Sequence, residues 1–94
     1  MELRLSGVGD FLKIWKKDFL GQQGFFIPGD KNFALGQEFT LSISIEGESW
    51  GSAQVLPVWS NQFGPVSADT PRGTFLRLIR AEKSLQQRID SVSP

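Results

Sequence analysis

The sequence of 94 residues contains no cysteine and no histidine. Without cysteine it cannot form a disulfide, a thiolate nucleophile or a zinc–thiolate site, and nothing in it points to an oxidising compartment. Without histidine it lacks the commonest general base and transition-metal ligand. We therefore expect no metal centre, no cofactor and no enzymatic activity.

The chain also lacks an excess of charge of either sign and a long apolar run. Ten Lys and Arg residues balance ten Asp and Glu residues, so no overall field attracts nucleic acid or an anionic membrane. No run approaches the roughly eighteen apolar residues of a membrane span, and residues 1–5 lack the pattern of a signal peptide. We expect a cytoplasmic protein without membrane insertion, and the net charge disfavours nucleic acid as a partner.

The chain has enough hydrophobic residues to form the core of one domain, residues 1–94. Hydrophobic residues make up 39%, including eight Phe and three Trp, which suits a small β-rich fold. The clearest element is a strict period of two over residues 39–45, typical of a half-buried strand. The Glu46–Ser49 turn then predicts a hairpin into a second strand, from Trp50 to Trp59, which Pro57 forces to bulge or to lie at an edge.

The other segments are shorter. Residues 2–5 alternate as a strand does, and residues 11–17 fit a strand or a helix, with aromatic and β-branched content favouring the strand. Further strands are predicted at residues 25–27 and 73–80, and residues 85–92 have the spacing of an amphipathic helix. Five or six antiparallel strands and one C-terminal helix favour a small barrel, because closure removes exposed edges.

Few residues are candidates for chemistry or binding. Glu46 and Glu48 flank a turn, where solvated acids are the simpler interpretation than a catalytic pair. Lys13, Lys16 and Lys17 interleave with Trp15 and Phe19 as in a basic, aromatic surface, although lysines that solvate one strand face explain the pattern more simply. Trp50 and Trp59 are nine residues apart, so we expect at least one in the core and the other on the surface. The aromatic candidates for contact with a protein partner are Trp15, Trp50 and Phe63.

Several of these features together resemble the PilZ domain family. They are the Gly24-Phe25-Phe26-Ile27 turn and strand, the Leu35-Gly36 loop, the strand ending in Val58-Trp59, the strand led by Gly73 and the final helix. The resemblance covers nearly the whole chain. It implies a small six-stranded antiparallel β-barrel with one C-terminal α-helix, located in the bacterial cytoplasm.

Many PilZ domains bind cyclic di-GMP through an RxxxR motif and a (D/N)xSxxG motif. Aligning Gly24 with the last glycine places Phe19 where Asp or Asn belongs and Gly21 where Ser belongs, so only the glycine is kept. Lys13 and Lys17 are the nearest substitutes for the arginine pair, and lysine lacks the planar fork of arginine.

The resemblance therefore implies a PilZ-like interaction or regulatory module in bacterial motility, polarity or signalling. It would bind a protein partner and not cyclic di-GMP. One alternative is a cyclic di-GMP receptor that uses Lys13, Lys16 and Lys17. The other is a small barrel that binds nucleic acid, which the neutral net charge disfavours.

Overall fold

A computed structural model describes residues 1–29, 32–61 and 72–93 of the chain. The fold is mainly β, as the sequence predicts. Its elements in chain order are β1 (Glu2–Leu5), α1 (Val8–Ile14), β2 (Trp15–Phe19), β3 (Gln22–Pro28), β4 (Phe39–Ile45), β5 (Glu48–Asn61), β6 (Gly73–Ala81) and α2 (Lys83–Val92).

The six strands form one sheet in the order β1-β4-β5-β6-β3-β2. Four pairings are antiparallel, whereas β1 runs parallel to β4. The expectation of a wholly antiparallel sheet is thus wrong at β1, because a helix and two further strands separate β1 from its partner and no tight turn joins them. Within the described residues β1 and β2 are the two ends of the sheet, so a closed barrel is not confirmed.

The long strand β5 organises the sheet. Its first half pairs with β4 and its second half with β6, and the register shifts between Gln54 and Val55 and again between Pro57 and Trp59. The second shift is the irregularity that Pro57 predicts, since proline cannot donate to a regular ladder. The strand β5 therefore pairs with β4 on one edge near its start and with β6 on the other edge near its end.

The described residues form two helices, whereas the sequence predicts one. The strand prediction for residues 11–17 is wrong in its first half, because α1 extends to Ile14 and β2 begins at Trp15. Phe11 and Ile14 are both buried; three residues apart, they share a helix face and would lie on opposite faces of a strand. Burial of both side chains therefore selects the helix.

Aromatic rings fill the core on the inner face of the sheet. Phe11 lies among them, with ring centroids 5.2 Å from Trp50, 6.2 Å from Phe25 and 6.4 Å from Trp15. The helix α2 adds Leu85 to this core, as its amphipathic period predicts.

A second group of rings lies on the outer face. Phe25 and Phe26 are consecutive residues of β3 and so project to opposite faces. Phe26 contacts Phe19 and Trp59, and Phe19 stacks on Phe75 with centroids 4.4 Å apart. We call Phe19, Phe26, Trp59 and Phe75 the outer aromatic cluster.

Candidate functional site

The residues that the resemblance to PilZ domains aligns with a binding signature lie in the β2–β3 hairpin. Phe19 pairs with Gln22, and the two residues between them, Leu20 and Gly21, have φ values of 53° and 79°. Two left-handed residues in a two-residue loop are typical of a type I′ turn. The backbone N–H of Gly21 donates to Asp18 Oδ1 at 2.9 Å. Leu20 thus adopts the left-handed conformation, which raises the free energy of a non-glycine residue by about 1 kcal/mol.

Gly24 does not frame this turn, contrary to the sequence interpretation. It lies inside β3, opposite Lys16 on one side and Arg77 on the other. A Cβ atom at position 24 would lie 2.1 Å from the carbonyl oxygen of Leu76 and 2.9 Å from Cζ of Phe75. Glycine is required here by the close approach of β6 and not by a special φ.

Phe19, which the resemblance aligns with a polar signature residue, has its ring packed among other aromatic rings. It contacts Phe26, Trp59 and Phe75 in the outer aromatic cluster. An Asp or Asn side chain at this position would instead offer hydrogen-bonding groups to a ligand. The packed ring of Phe19 therefore contributes to the stability of the hairpin.

The three lysines do not converge on one site. Lys13 lies on α1 with its Nζ 3.8 Å from Asp10 Oδ1, whereas Lys16 lies opposite Gly24 on β2 and Lys17 lines a pocket beside α2. The Ser6 hydroxyl, which donates to Asp10, lowers the pKa of this carboxyl, and the Lys13 charge contributes less. A shared phosphate-binding surface would need the ammonium groups side by side.

A polar pocket of about 180 Å³ separates the hairpin from α2. Gln86 Nε2 donates to Asp90 Oδ1 at 3.0 Å on its helix side. The indole of Trp15 is 8% exposed, and its buried Nε1–H has no acceptor among the described residues. The lining residues are Trp15, Lys17, Gln23, Gln86, Ile89, Asp90 and Ser93. Both donors and acceptors line this pocket, which is smaller than the roughly 300–1,000 Å³ of drug-sized ligand sites.

Two of the three aromatic residues predicted to contact a protein partner are buried in the structure. Trp15 and Trp50 are 8% and 4% exposed and belong to the core, so their rings are not surface contacts. Phe63 lies outside the described residues. Sequence reasoning also missed Leu20 at the hairpin tip, which at 76% has the highest exposure of the large hydrophobic residues in the described part of the chain. The signal for it was Leu-Gly at a position where such turns favour Asn-Gly.

The remaining observations are negative. No protein-family model matches the chain, and no curated protein matches it. Neither helix in the described part of the chain has the length and apolar character needed to cross a bilayer. Over residues 1–29, 32–61 and 72–93, no three His, Cys, Asp or Glu side chains are grouped as metal ligands would be. The geometry of the β2–β3 hairpin is therefore the main observation that bears on function.

Proposed function

We propose that the chain is a PilZ-like interaction module that binds a protein partner and does not bind cyclic di-GMP. Its setting would be the bacterial cytoplasm, in motility, polarity or another signalling assembly. The six strands and the C-terminal helix support the resemblance to the PilZ family, on which this setting depends. The observation that carries the proposal is Leu20 at the tip of the β2–β3 hairpin.

Three features argue against a nucleotide at this hairpin. The ring of Phe19 is engaged in the outer aromatic cluster. Lys13 Nζ lies 3.8 Å from Asp10 Oδ1, and Lys16 and Lys17 are consecutive residues of β2, whose side chains project to opposite faces. The adjacent pocket, at about 180 Å³, is smaller than sites for drug-sized ligands, which themselves have fewer atoms than a cyclic dinucleotide.

The exposed side chain of Leu20 favours binding to a protein partner. Asn or Gly at this position would relieve the left-handed backbone, and Leu gains no compensating burial because it is 76% exposed. Residues kept in sparsely populated conformations without a structural gain concentrate at functional sites. An apolar side chain projecting from a hairpin tip can act as an anchor in a partner's pocket.

The test is partner capture with the intact domain and its Leu20→Asn variant. We expect Leu20→Asn to raise or preserve the melting temperature, since Asn tolerates left-handed φ, while the partner is lost. Leu35→Asn is the matched control, because Leu35 is also exposed, at 59%, and lies on a different loop. Retention of every partner by Leu20→Asn would contradict the proposal.

The absence of nucleotide binding is tested separately. Titration with cyclic di-GMP, followed by tryptophan fluorescence and melting temperature, should produce no saturable change. A saturable micromolar shift that disappears in Lys13→Ala/Lys17→Ala would support the receptor alternative instead. A salt-sensitive gel shift with single-stranded DNA or RNA would support the nucleic-acid alternative.

A further inference from the structure

Among the described residues, only one edge of β1 pairs with another strand. The N–H groups of Ser42 and Glu46 on the β4 side donate to the carbonyl oxygens of Met1 and Leu5, at 2.9 and 3.0 Å. Alternate residues of a strand direct their backbone groups to the same neighbour, so those of Glu2 and Arg4 point away from β4. In the described part of the chain no second strand pairs with β1. Such an edge is a template for another strand.

The side chains of β1 divide cleanly between the two faces. Met1, Leu3 and Leu5 share the inner face; Leu3 and Leu5 pack against the core, and Met1 is 37% exposed. Glu2 and Arg4 occupy the outer face, where Arg4 Nε donates to Glu2 Oε1 at 2.7 Å. The Arg4 side chain is 81% exposed and the Glu2 side chain 56%.

This pattern is self-complementary about Leu3. If two copies of β1 run antiparallel with Leu3 opposite Leu3, Glu2 of each copy lies opposite Arg4 of the other. Glu2 and Arg4 are the residues with free backbone groups, and each such pair exchanges two N–H···O=C bonds. On the other face Met1 then lies opposite Leu5. The backbone pattern, the charges and the apolar side chains all fit the same register.

Neighbouring registers do not satisfy these conditions. A slip of one residue places each apolar side chain opposite a charged one. Centring the pair on Glu2 or on Arg4 brings like charges directly opposite each other, which is destabilising. Only the Leu3-centred register pairs unlike charges on one face and apolar groups on the other.

We propose that the β1 edge binds a second copy of this chain in a two-fold symmetric contact. The two six-stranded sheets then become one continuous sheet across the symmetry axis. This contact is isologous, so the same patch serves both copies and the assembly closes at two. The proposal is independent of the partner expected at Leu20, since the hairpin lies at the opposite end of the sheet order.

The test is sedimentation of the full chain over a range of concentrations, with charge variants of β1. Glu2→Arg places like charges at both outer pairs, and Arg4→Glu does the same with the opposite sign. Each should raise the dimer dissociation constant about tenfold or more. A mixture of the two variants should form a heterodimer, because unlike charges again face each other. The double variant Glu2→Arg/Arg4→Glu should recover the wild-type dissociation constant.

Arg80→Glu is the matched control, since it makes the same charge change on an exposed residue of β6 and should leave the dissociation constant unchanged. Arg4→Pro removes an edge-facing N–H without removing a bond to β4, and should abolish association while circular dichroism and melting temperature show a folded domain. A monomeric wild type at millimolar concentration would overturn the proposal. So would a dimer that is indifferent to Arg4→Pro and to both charge variants.

Discussion

Gly21 and Gly24 lie three residues apart and are needed for different physical reasons. Gly21 has a φ of 79°, a region open to glycine at no cost, and it closes the hairpin. Gly24 is extended within β3, and its missing side chain allows the carbonyl of Leu76 to approach. The same residue type thus serves a turn at one position and a close backbone approach at the other.

Gly24→Ala is expected to destabilise the domain by roughly 3 kcal/mol, because the added methyl group overlaps the Leu76 oxygen and the strand must move. The control is Gly9→Ala in α1, where a Cβ would meet nothing within 4 Å. Replacing a helical glycine by alanine should stabilise by about 0.5–1 kcal/mol. Urea unfolding followed by tryptophan fluorescence measures both. Equal effects at the two positions would show that the close approach to Leu76 is unimportant.

The start of α2 is tied to β5 by one carboxylate. The backbone N–H and the hydroxyl of Ser52 both donate to Glu82 Oε1 at 2.7 Å. The backbone N–H of Glu82 donates in return to the Ser52 carbonyl at 2.9 Å. The side-chain hydrogen bond, followed by the backbone one, lowers the pKa of Glu82 below its ordinary value of 4.5. These hydrogen bonds between Ser52 and Glu82 fix the position at which α2 begins against the sheet.

Because the pKa of Glu82 is lowered, the stabilisation that its hydrogen bonds with Ser52 provide depends on pH. The folded state favours the ionised carboxylate, so the stabilisation is fully present above pH 4.5 and is lost as the pH falls through the lower folded-state pKa. We expect Glu82→Gln to melt below the wild type at neutral pH, and the difference to shrink in acid. Thermal melts of both proteins across pH measure it. In a Ser52→Ala background the difference should be smaller, and a difference independent of pH would contradict the assignment.

At the scale of the whole molecule, the sheet separates two aromatic clusters. Phe11, Trp15, Phe25 and Trp50 lie in the core, whereas the outer aromatic cluster packs on the other face. No ring contact joins the two sets among the described residues. Each set should therefore respond to substitution independently of the other.

Phe11→Leu and Phe19→Leu should each destabilise the domain, with free-energy changes that add within about 0.5 kcal/mol in the double variant. Phe11→Leu combined with Trp50→Phe is the contrasting pair, since these rings are 5.2 Å apart and share contacts. That pair should deviate from additivity. Chemical unfolding of the single and double variants measures both cycles, and strong coupling between Phe11 and Phe19 would mean that the clusters are not separate.

Local patterns in the sequence were enough for several elements. The period of two over residues 39–45 predicted β4, and the helical spacing of Leu85, Ile89 and Val92 predicted α2. The absence of cysteine and histidine excluded thiolate and imidazole chemistry directly. The two elements follow from residues close together in the chain, whose side-chain periodicity reports the element that they form, whereas the exclusion follows from composition alone.

Only the tertiary structure decided the rest, because it depends on residues far apart in the chain. The pairing of β1 with β4 placed β1 at one end of the sheet in the described part of the chain, and burial of Phe11 and Ile14 in the core made residues 11–14 a helix. Gly24 is explained only by Leu76, more than fifty positions later. The sequence by itself determined the β-rich composition and the absence of cysteine and histidine. The fold decided which side chains face the core, which glycine is irreplaceable and where Leu20 is exposed, since contacts between distant strands have no local signature.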